Sequence, residues 1–511
     1  MEPKGVWIYK YAPIYRQSMV LPELTCPNCH RTYLPSPFTK NCDQCGSTLL
    51  VNYDYESLQE FLHSMKDKAN RSGIWKFLPL LPLSSDQHLI SLGEGGTFLQ
   101  RCDRLAEACR IRKLYLKNET TNPTGSFMDR GAAVELSEAT SLGVELVQCA
   151  PTGNLGASLA GYAARAGMRC VLHVSSDINP GKLLQMVAYD AEVKLNSPPS
   201  PMNMEESLWV TPVDPYLLEG EKTIIFEICE QLGWRTPSRI ISPVGTGGLF
   251  TMLWKGLREL SQIGLIEDGE TRLTSVQAAG CDPIVTAFEG HYEKVEPATH
   301  VDTLAVDLKV PSPPLGEMVL EAIKGSRGSA VAVSDEEILE ATRLLAKTEG
   351  VFAEPAAAST IAALRKMVEE RIIDAWEDVV CVITGAGLKD PSATLRLLDR
   401  QRRLKFLVER KSGRGIPSSL GDTKIKILRL LEEGEAYGYG IWKALDKRYG
   451  VRVKIPSVYQ HLAELEALGL VEKSKSLAVQ GRPARQCLIL TAKGRETLKA
   501  LTYLRANEEG I

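Results

Sequence analysis

No apolar run in this chain of 511 residues approaches the length of roughly 18 to 20 residues that a helix needs to cross a bilayer, which excludes a helical membrane span. Internal repeats and low-complexity tracts are also lacking, so neither a solenoid nor a biased, unfolded tract organises it. The opening stretch MEPKGVWIYKYAPIYRQ has no apolar signal core with a small-residue cleavage site, and a cytoplasmic protein is the expectation. Net charge is nearly absent at −3. That balance hides an asymmetry: residues 411–511 carry 18 Lys and Arg against 11 Asp and Glu, or +7, which leaves −10 for residues 1–410. A basic tail on an acidic body directs the search for nucleic acid to the tail.

What is present fits a globular protein, with 44% hydrophobic and 24% charged residues. The length suggests about three or four domains. Of the 12 cysteines, four are clustered and the rest lie in apolar stretches, where reduced thiols are expected (Cys102, Cys109, Cys149, Cys170, Cys229, Cys281, Cys381 and Cys487). The clustered ones sit in LTCPNCHRTYLPSPFTKNCDQCGSTL, where Cys26 and Cys29 form one CxxC and Cys42 and Cys45 another. Four thiolates in two tight knuckles complete a tetrahedral zinc shell, and Gly46 permits the turn back over the metal. A structural zinc ribbon over residues 20–52 is the expectation. The alternative, a redox pair, is weakened by the presence of two matched pairs, and His30 is surplus to a four-cysteine shell.

From residue 85 to 410 short β-rich runs alternate with longer Ala, Leu and Glu-rich stretches. KLYLKN, ELVQCA, CVLHVS, RIISPVG, LTSVQAAG and DVVCVITG read as strands, and GASLAGYAARAG, SDEEILEATRLLAKTEG and AAASTIAALRKMVEER as helices. The alternation predicts an α/β fold with an open, mainly parallel sheet, and ligands at the carboxyl ends of its strands. Three turns there bear on a ligand. VGTGGLF (Val244 to Phe250) runs from strand to helix and can cradle a phosphate, although taken alone it is a weak signal and a tight turn is the more ordinary explanation. APTGNLGAS offers Thr152, Asn154 and backbone amides, and TGAGLKDP places the hydroxyl of Thr384 at a strand end; helix capping and a plain strand-end hydroxyl are the bland alternatives.

Residues 411–422, KSGRGIPSSLGD, read as an exposed linker. Residues 423–507 follow with three short amphipathic helices, a hairpin-like stretch and a last helix. Within the helix Ser457 to Leu468, Leu462, Leu465 and Leu468 point inward, leaving Ser457, Tyr459, Gln460 and His461 near an exposed amino end, where a recognition helix meets a major groove. Lys454 before that helix, and Lys473, Lys475, Arg482 and Arg485 around the hairpin, are placed to meet phosphates. A solvated basic face on a protein-interaction module is the alternative.

The motifs SLGEGGTFL, KNETTNPTGSFMDRGAA, CAPTGNLGASLAGYAARAG, DPYLLEGEKTIIFEI, SPVGTGGLF, QAAGCDPIVTAF, EPAAASTIAAL and TGAGLKDP stand in the order expected of the threonine synthase family. The resemblance covers roughly residues 85–400 and implies a fold-type II pyridoxal-phosphate core, tryptophan synthase β-like. Carried over position by position, it assigns the cofactor phosphate to Gly245, Thr246, Gly247 and Gly248, the ring hydroxyl to Asn154 and the pyridine nitrogen to Thr384. It assigns the substrate carboxylate to Thr152 and Gly153. One position departs decisively: the family's NPTGSFKDRG carries the lysine that forms the Schiff base, and here that residue is Met128. A thioether can neither form that bond nor move protons. Phe98, Pro151 and Ala386 also replace the family's proline, serine and histidine. Lys117, Lys182 and Lys389 are the alternatives for a relocated amine.

The tail resembles a PadR-like winged helix through LRLLEEGEAYGYGIWKAL, PSVYQHLAELEALGLVEK and GRPARQCLILTAKG. That resemblance implies DNA as partner and a homodimer, with Leu498, Leu501 and Leu504 as an interface stripe. Together the residues predict a non-catalytic sensor, in which a pocket binds pyridoxal phosphate non-covalently or an amino-acid-related metabolite and the winged helix reports occupancy. An active threonine synthase or related lyase with autoregulatory DNA binding is the alternative. A third reading is an inactive subunit that directs an active paralogue to DNA.

Overall fold

The computed structural model describes residues 22–58, 71–150, 153–176, 178–197, 207–267, 271–396, 422–434, 436–451, 453–479, 482–495 and 497–498. The chain forms two compact units, residues 1–397 and residues 398–511. The larger unit begins with a three-stranded antiparallel sheet of β1 (Glu23–Thr25), β2 (Thr32–Tyr33) and β3 (Leu50–Asn52), in the order β2-β1-β3. The two cysteine knuckles lie on the turns of this sheet. Its Leu24, Leu49 and Val51 are buried in a core shared with the body, so the ribbon is packed onto the unit it precedes.

The body contains two sheets rather than the one that the sequence suggests. The larger combines β4 (Leu99–Arg101), β5 (Lys113–Asn118), β10 (Arg239–Pro243), β11 (Arg272–Ala278), β12 (Ser329–Val333) and β13 (Asp378–Ile383) in the order β12-β11-β10-β13-β5-β4, parallel except for β4. The smaller is parallel and has the order β8-β7-β6-β9, from β6 (Leu146–Cys149), β7 (Arg169–Val174), β8 (Glu192–Leu195) and β9 (Leu208–Val210). Strand periodicity shows that a run is extended but not which run it pairs with, and this is why two sheets read as one. The central strands β10 and β13 are buried along almost their whole length, as parallel strands covered on both faces must be.

The helices that carry the site are α1 (Met128–Ser141), α2 (Asn154–Ala166), α3 (Pro180–Ala188), α4 (Pro215–Gln231), α5 (Gly248–Gln262), α6 (Asp335–Glu349) and α7 (Pro355–Glu369). Their ends follow local chemistry. Ser334 and Glu337 form a capping box at the start of α6, Gly350 ends it in the left-handed conformation, and proline opens α3, α4 and α7. All eight scattered cysteines are buried free thiols.

In the smaller unit, α8 (Asp422–Glu432), α9 (Gly438–Tyr449) and α10 (Ile455–Ala467) accompany a sheet of order β14-β16-β15, built from β14 (Ala436–Tyr437), β15 (Val471–Val479) and β16 (Arg482–Leu490). Three helices on a winged hairpin agree with the expectation. Its core takes Ile427, Leu428, Ile441, Leu445, Val458, Leu462, Leu465 and Leu490. The linker 411–421, together with Leu501 and Leu504 of the expected interface stripe, lies outside the described residues.

Candidate functional site

The turns that follow β5, β6, β10 and β13 converge on one cavity of about 430 Å³, at the carboxyl ends of strands from both sheets. Its wall is set first by NPTGSF. Gly125 has φ +84°, a left-handed turn that other residues rarely adopt, and a Cβ there would meet that of Ala386 at 3.3 Å. The loop is sewn to the turn after β13, because the N–H of Phe127 donates to the carbonyl of Thr384 at 3.0 Å and that of Ala386 to the carbonyl of Gly125 at 2.9 Å. Asp129 then closes the loop from within: its carboxylate accepts from Thr124 N at 2.7 Å, Thr124 Oγ1 at 2.5 Å and Ser158 Oγ at 2.6 Å.

Arg130, fully buried, fixes the next turn. Its guanidinium donates to Glu119 Oε2 at 2.7 Å and Oε1 at 2.9 Å, to Glu227 Oε1 at 2.9 Å and Oε2 at 2.7 Å, and to Thr223 and Thr97 hydroxyls at 3.0 and 3.1 Å. Lys117 adds a second cation, 2.7 Å from Glu227. Burial works against ionisation of Glu227, yet Arg130 and Lys117 hold its carboxyl well below the usual range. These contacts spend Lys117 on structure. Met128, the first residue of α1, is half-buried in the cavity wall, between neighbours whose polar atoms are held by other parts of the chain.

The turn Gly245 to Gly248 forms the opposite wall. Gly247 has φ +96°, and Cβ atoms built at Gly245 and Gly248 would stand 2.6 Å from the Asp307 carbonyl oxygen and 2.7 Å from Leu218. A side chain at Gly245 would collide with backbone and one at Gly247 would be strained, while at Gly248 the Leu218 side chain would have to shift. The turn opens α5, whose first N–H groups have no partner within the helix and whose dipole is positive at that end. Thr246 lines the cavity with them, as do Gly153, Asn154 and Thr384. Thr152 lies outside the described residues. The structure therefore brings Met128, Gly153, Asn154, the glycine turn and Thr384 to one place.

Charged groups also line the cavity: sequence reasoning offered Lys182 only as a candidate for a relocated amine and gave no role to Asp307, Glu354 or Glu221. Lys182 Nζ lies 2.6 Å from Asp307 Oδ2 and 3.0 Å from Glu354 Oε1. Burial lowers the pKa of this amine, but the two carboxylates overcome that and hold it above the ordinary lysine value. Lys182 is thus a fixed cation and a poor nucleophile. Asn154 Nδ2 donates to Glu354 Oε2 at 2.8 Å, while its Oδ1 is buried with no partner among the described residues. Lys389 Nζ donates to the Thr124 carbonyl at 2.7 Å and Gln185 Oε1 at 2.9 Å, bracing the loop from behind, and burial pushes its pKa down to about 8. Asp307 and Lys182 are 125 residues apart, and only the fold joins them. EPAAAST and GEKT, the segments of Glu354 and Glu221, were visible as motifs, without a signal for what their carboxyls face.

In the ribbon, the sulfurs of Cys26, Cys29, Cys42 and Cys45 lie within 4.8 Å of one another. Cys26 and Cys45 are 3.4 Å apart, as are Cys29 and Cys42, with 4.0 Å between Cys29 and Cys45. A tetrahedron with bonds of about 2.3 Å has edges of about 3.8 Å, so this set suits one zinc ion. Tyr33 donates to Cys42 Sγ at 3.1 Å and to Asp43 at 2.5 Å, supplying the outer hydrogen bonds that such sites use.

On the smaller unit, α10 begins two residues before the predicted start. Lys454, Gln460 and Tyr459 are exposed, Ser457 and His461 partly so, and Leu468 is half-buried rather than inward. Trp442 Nε1 donates to the Val453 carbonyl at 2.8 Å and fixes the entry to α10, while the Tyr459 ring packs over Gly438. Glu464 gathers nearby groups, accepting from Gln460 at 3.2 Å with His461 at 3.8 Å. Lys473 is exposed and pairs with Glu466 at 3.0 Å. Lys475, Arg482 and Arg485 fall on β15 and β16, and their side chains lie outside the described residues.

Residues 90–385 match the family described as pyridoxal-phosphate dependent enzyme, and residues 427–500 match the transcriptional regulator PadR-like family. The chain is 43% identical over 382 residues to threonine synthase of Methanocaldococcus jannaschii, a match covering 73% of this chain and 94% of that protein. It is 38% identical over 382 residues to threonine synthase of Methanosarcina acetivorans, covering 73% and 93%. Among solved structures, maize serine racemase shares the fold at a TM-score of 0.50 and 20% identity, over 62% of this chain and 93% of that one.

Proposed function

Because this chain belongs to the pyridoxal-phosphate dependent enzyme family, as a threonine-synthase-like domain joined to a PadR-like one, we propose that it is a transcriptional regulator whose family pocket binds its ligand reversibly. Met128 carries this reading. It stands where the family places its lysine, in a loop whose other contacts are intact. The cavity still fits the cofactor: the glycine turn and the α5 amino end suit a phosphate, and the unpartnered Asn154 Oδ1 suits a ring hydroxyl. Gly245, Thr246, Gly247 and Gly248 would hold the phosphate, Asn154 the hydroxyl and Thr384 the ring nitrogen. When bound, pyridoxal phosphate supplies an electrophilic carbonyl and an electron sink. Around it the chain's own residues bind and orient, while the paired Lys182 holds its proton between Asp307 and Glu354. Thr152 and Gly153 would receive an amino-acid carboxylate.

The winged helix reports occupancy by binding DNA through Ser457, Tyr459, Gln460 and His461 toward bases, with Lys454, Lys473, Lys475, Arg482 and Arg485 toward phosphates, as a homodimer. A ligand must then bind the two DNA-affinity states unequally. A second reading, an active threonine synthase or related lyase, is favoured by the 43% identity to a threonine synthase along nearly its whole length. One experiment separates them. Pyridoxal phosphate is added to the purified chain, followed by absorbance, borohydride reduction and mass mapping. The regulator reading expects no specific reduced adduct, a specific one in Met128→Lys, and operator affinity that changes with ligand. A reduced adduct at one native lysine, such as Lys309 at the cavity wall, together with turnover of phosphohomoserine, would replace it with the enzyme reading.

A further inference from the structure

Glu221 lies on α4, is buried, and lines the same cavity. Neither of its carboxyl oxygens has a hydrogen-bond partner among the described residues, although buried polar groups in folded proteins are almost always satisfied. The carboxyl faces the glycine turn, since a Cβ built on Gly248 would stand 3.3 Å from Glu221 Oε2. The charged residues beside it on α4 are occupied elsewhere: Lys222 pairs with Glu219, and with Glu259 at 2.7 Å. Burial alone pushes the Glu221 pKa well above the carboxylate range, with no neighbouring charge contributing. Burial thus favours the protonated carboxylic acid, which has one proton to donate and no acceptor for it among the described residues.

An acid in a cup built for anions is a contradiction only if the acid is ionised. The positive end of α5 disfavours a cation there, so a metal bridging the carboxyl is not the natural occupant. A phosphoryl oxygen accepts both from the α5 amides and from an O–H. We propose that Glu221 is a specificity-determining residue of this pocket, donating its carboxyl proton in a hydrogen bond to a phosphoryl oxygen seated in the Gly245–Gly248 turn. The inference rests on the reading that the pocket takes a phosphorylated ligand, and it makes a neutral side chain the element that distinguishes such a ligand from its dephosphorylated form.

The test uses the full chain with pyridoxine 5′-phosphate and pyridoxine, which lack the aldehyde that reacts with surface lysines. Calorimetry compares wild type, Glu221→Gln, which keeps a donor and cannot ionise, and Glu221→Leu, which has no donor. Pyridoxine phosphate should bind Glu221→Gln within about threefold of wild type and Glu221→Leu about tenfold or more weakly, the loss expected for a hydrogen bond to a charged group. Pyridoxine should not distinguish the variants. Lys182, Lys309, Asp307 and Glu354 line the same cavity in all three proteins and cancel in the comparison. Tighter binding by both variants would mean that Glu221 is an ionised, repelling group and would overturn the proposal. Equal losses for both ligands would reduce Glu221 to a structural role. Absence of binding by wild type itself would remove the phosphate site, and with it the reading beneath the proposal.

Discussion

Replacing Arg130 with methionine should cost the larger unit about 3–5 kcal/mol, the range for removing one partner from a buried ion pair. The arithmetic of charge in the structure indicates which group suffers. Arg130 and Lys117 together face Glu119 and Glu227, and Lys117 pairs with Glu227 at 2.7 Å. Without the guanidinium, Lys117 can still neutralise Glu227, and Glu119 becomes the unpaired buried charge. Glu119 also accepts from Asn122 Nδ2 at 2.7 Å, so the damage passes directly into the NPTGSF loop. Urea unfolding of the full chain by circular dichroism measures the loss, and hydrogen exchange at Gly125 to Phe127 locates it. Adding Glu119→Gln removes the stranded charge and should recover about 1 kcal/mol or more. A single substitution costing under about 1 kcal/mol, or a double variant whose losses simply add, would refute the claim that this network holds the loop.

Three further outcomes are expected. A strong chelator should release one zinc per chain, detected with a colorimetric indicator, and Cys42→Ser should abolish stoichiometric zinc; full retention by that variant would exclude the four-thiolate site. Lys389, with a folded pKa of about 8, is still protonated in the unfolded chain up to about 10.5, so between those values the unfolded chain binds more protons and stability should rise with pH. Lys389→Met, compared with wild type by denaturant unfolding from pH 7 to 10, should lack that rise. Lys454→Glu should weaken binding to DNA of every sequence and reduce the salt slope by about one unit, measured by fluorescence anisotropy; an unchanged slope would move Lys454 away from the backbone.

Much of the pocket was legible because it is made of backbone. Gly245, Gly247 and Gly248 announce themselves as positions where a side chain does not fit, and the structure gives the collisions that a Cβ would make. The zinc knuckles were legible for a similar reason, since CxxC spacing by itself fixes two sulfurs near each other. The electrostatic interior was not. Lys182, Asp307 and Glu354 come from a helix, a loop and a helix start far apart in sequence, and no local pattern pairs them. The division into two sheets was hidden because neighbours in a sheet are chosen by tertiary packing, and short strands such as β4, β8 and β9 carry too few residues to show a period. Glu221 lies within a visible motif, but what its carboxyl faces is set by the fold: the helix is buried on nearly every side and this carboxyl meets the cavity.

The anchoring of Asp129 and Arg130 has an evolutionary consequence. Residue 128 is followed by two side chains whose hydrogen bonds do not involve it, so the polar contacts that hold the loop do not require an amine at that position. Lysine and methionine codons can differ by a single base. Exchange between the two residues there is therefore a single-base change that leaves the contacts of Asp129 and Arg130 in place.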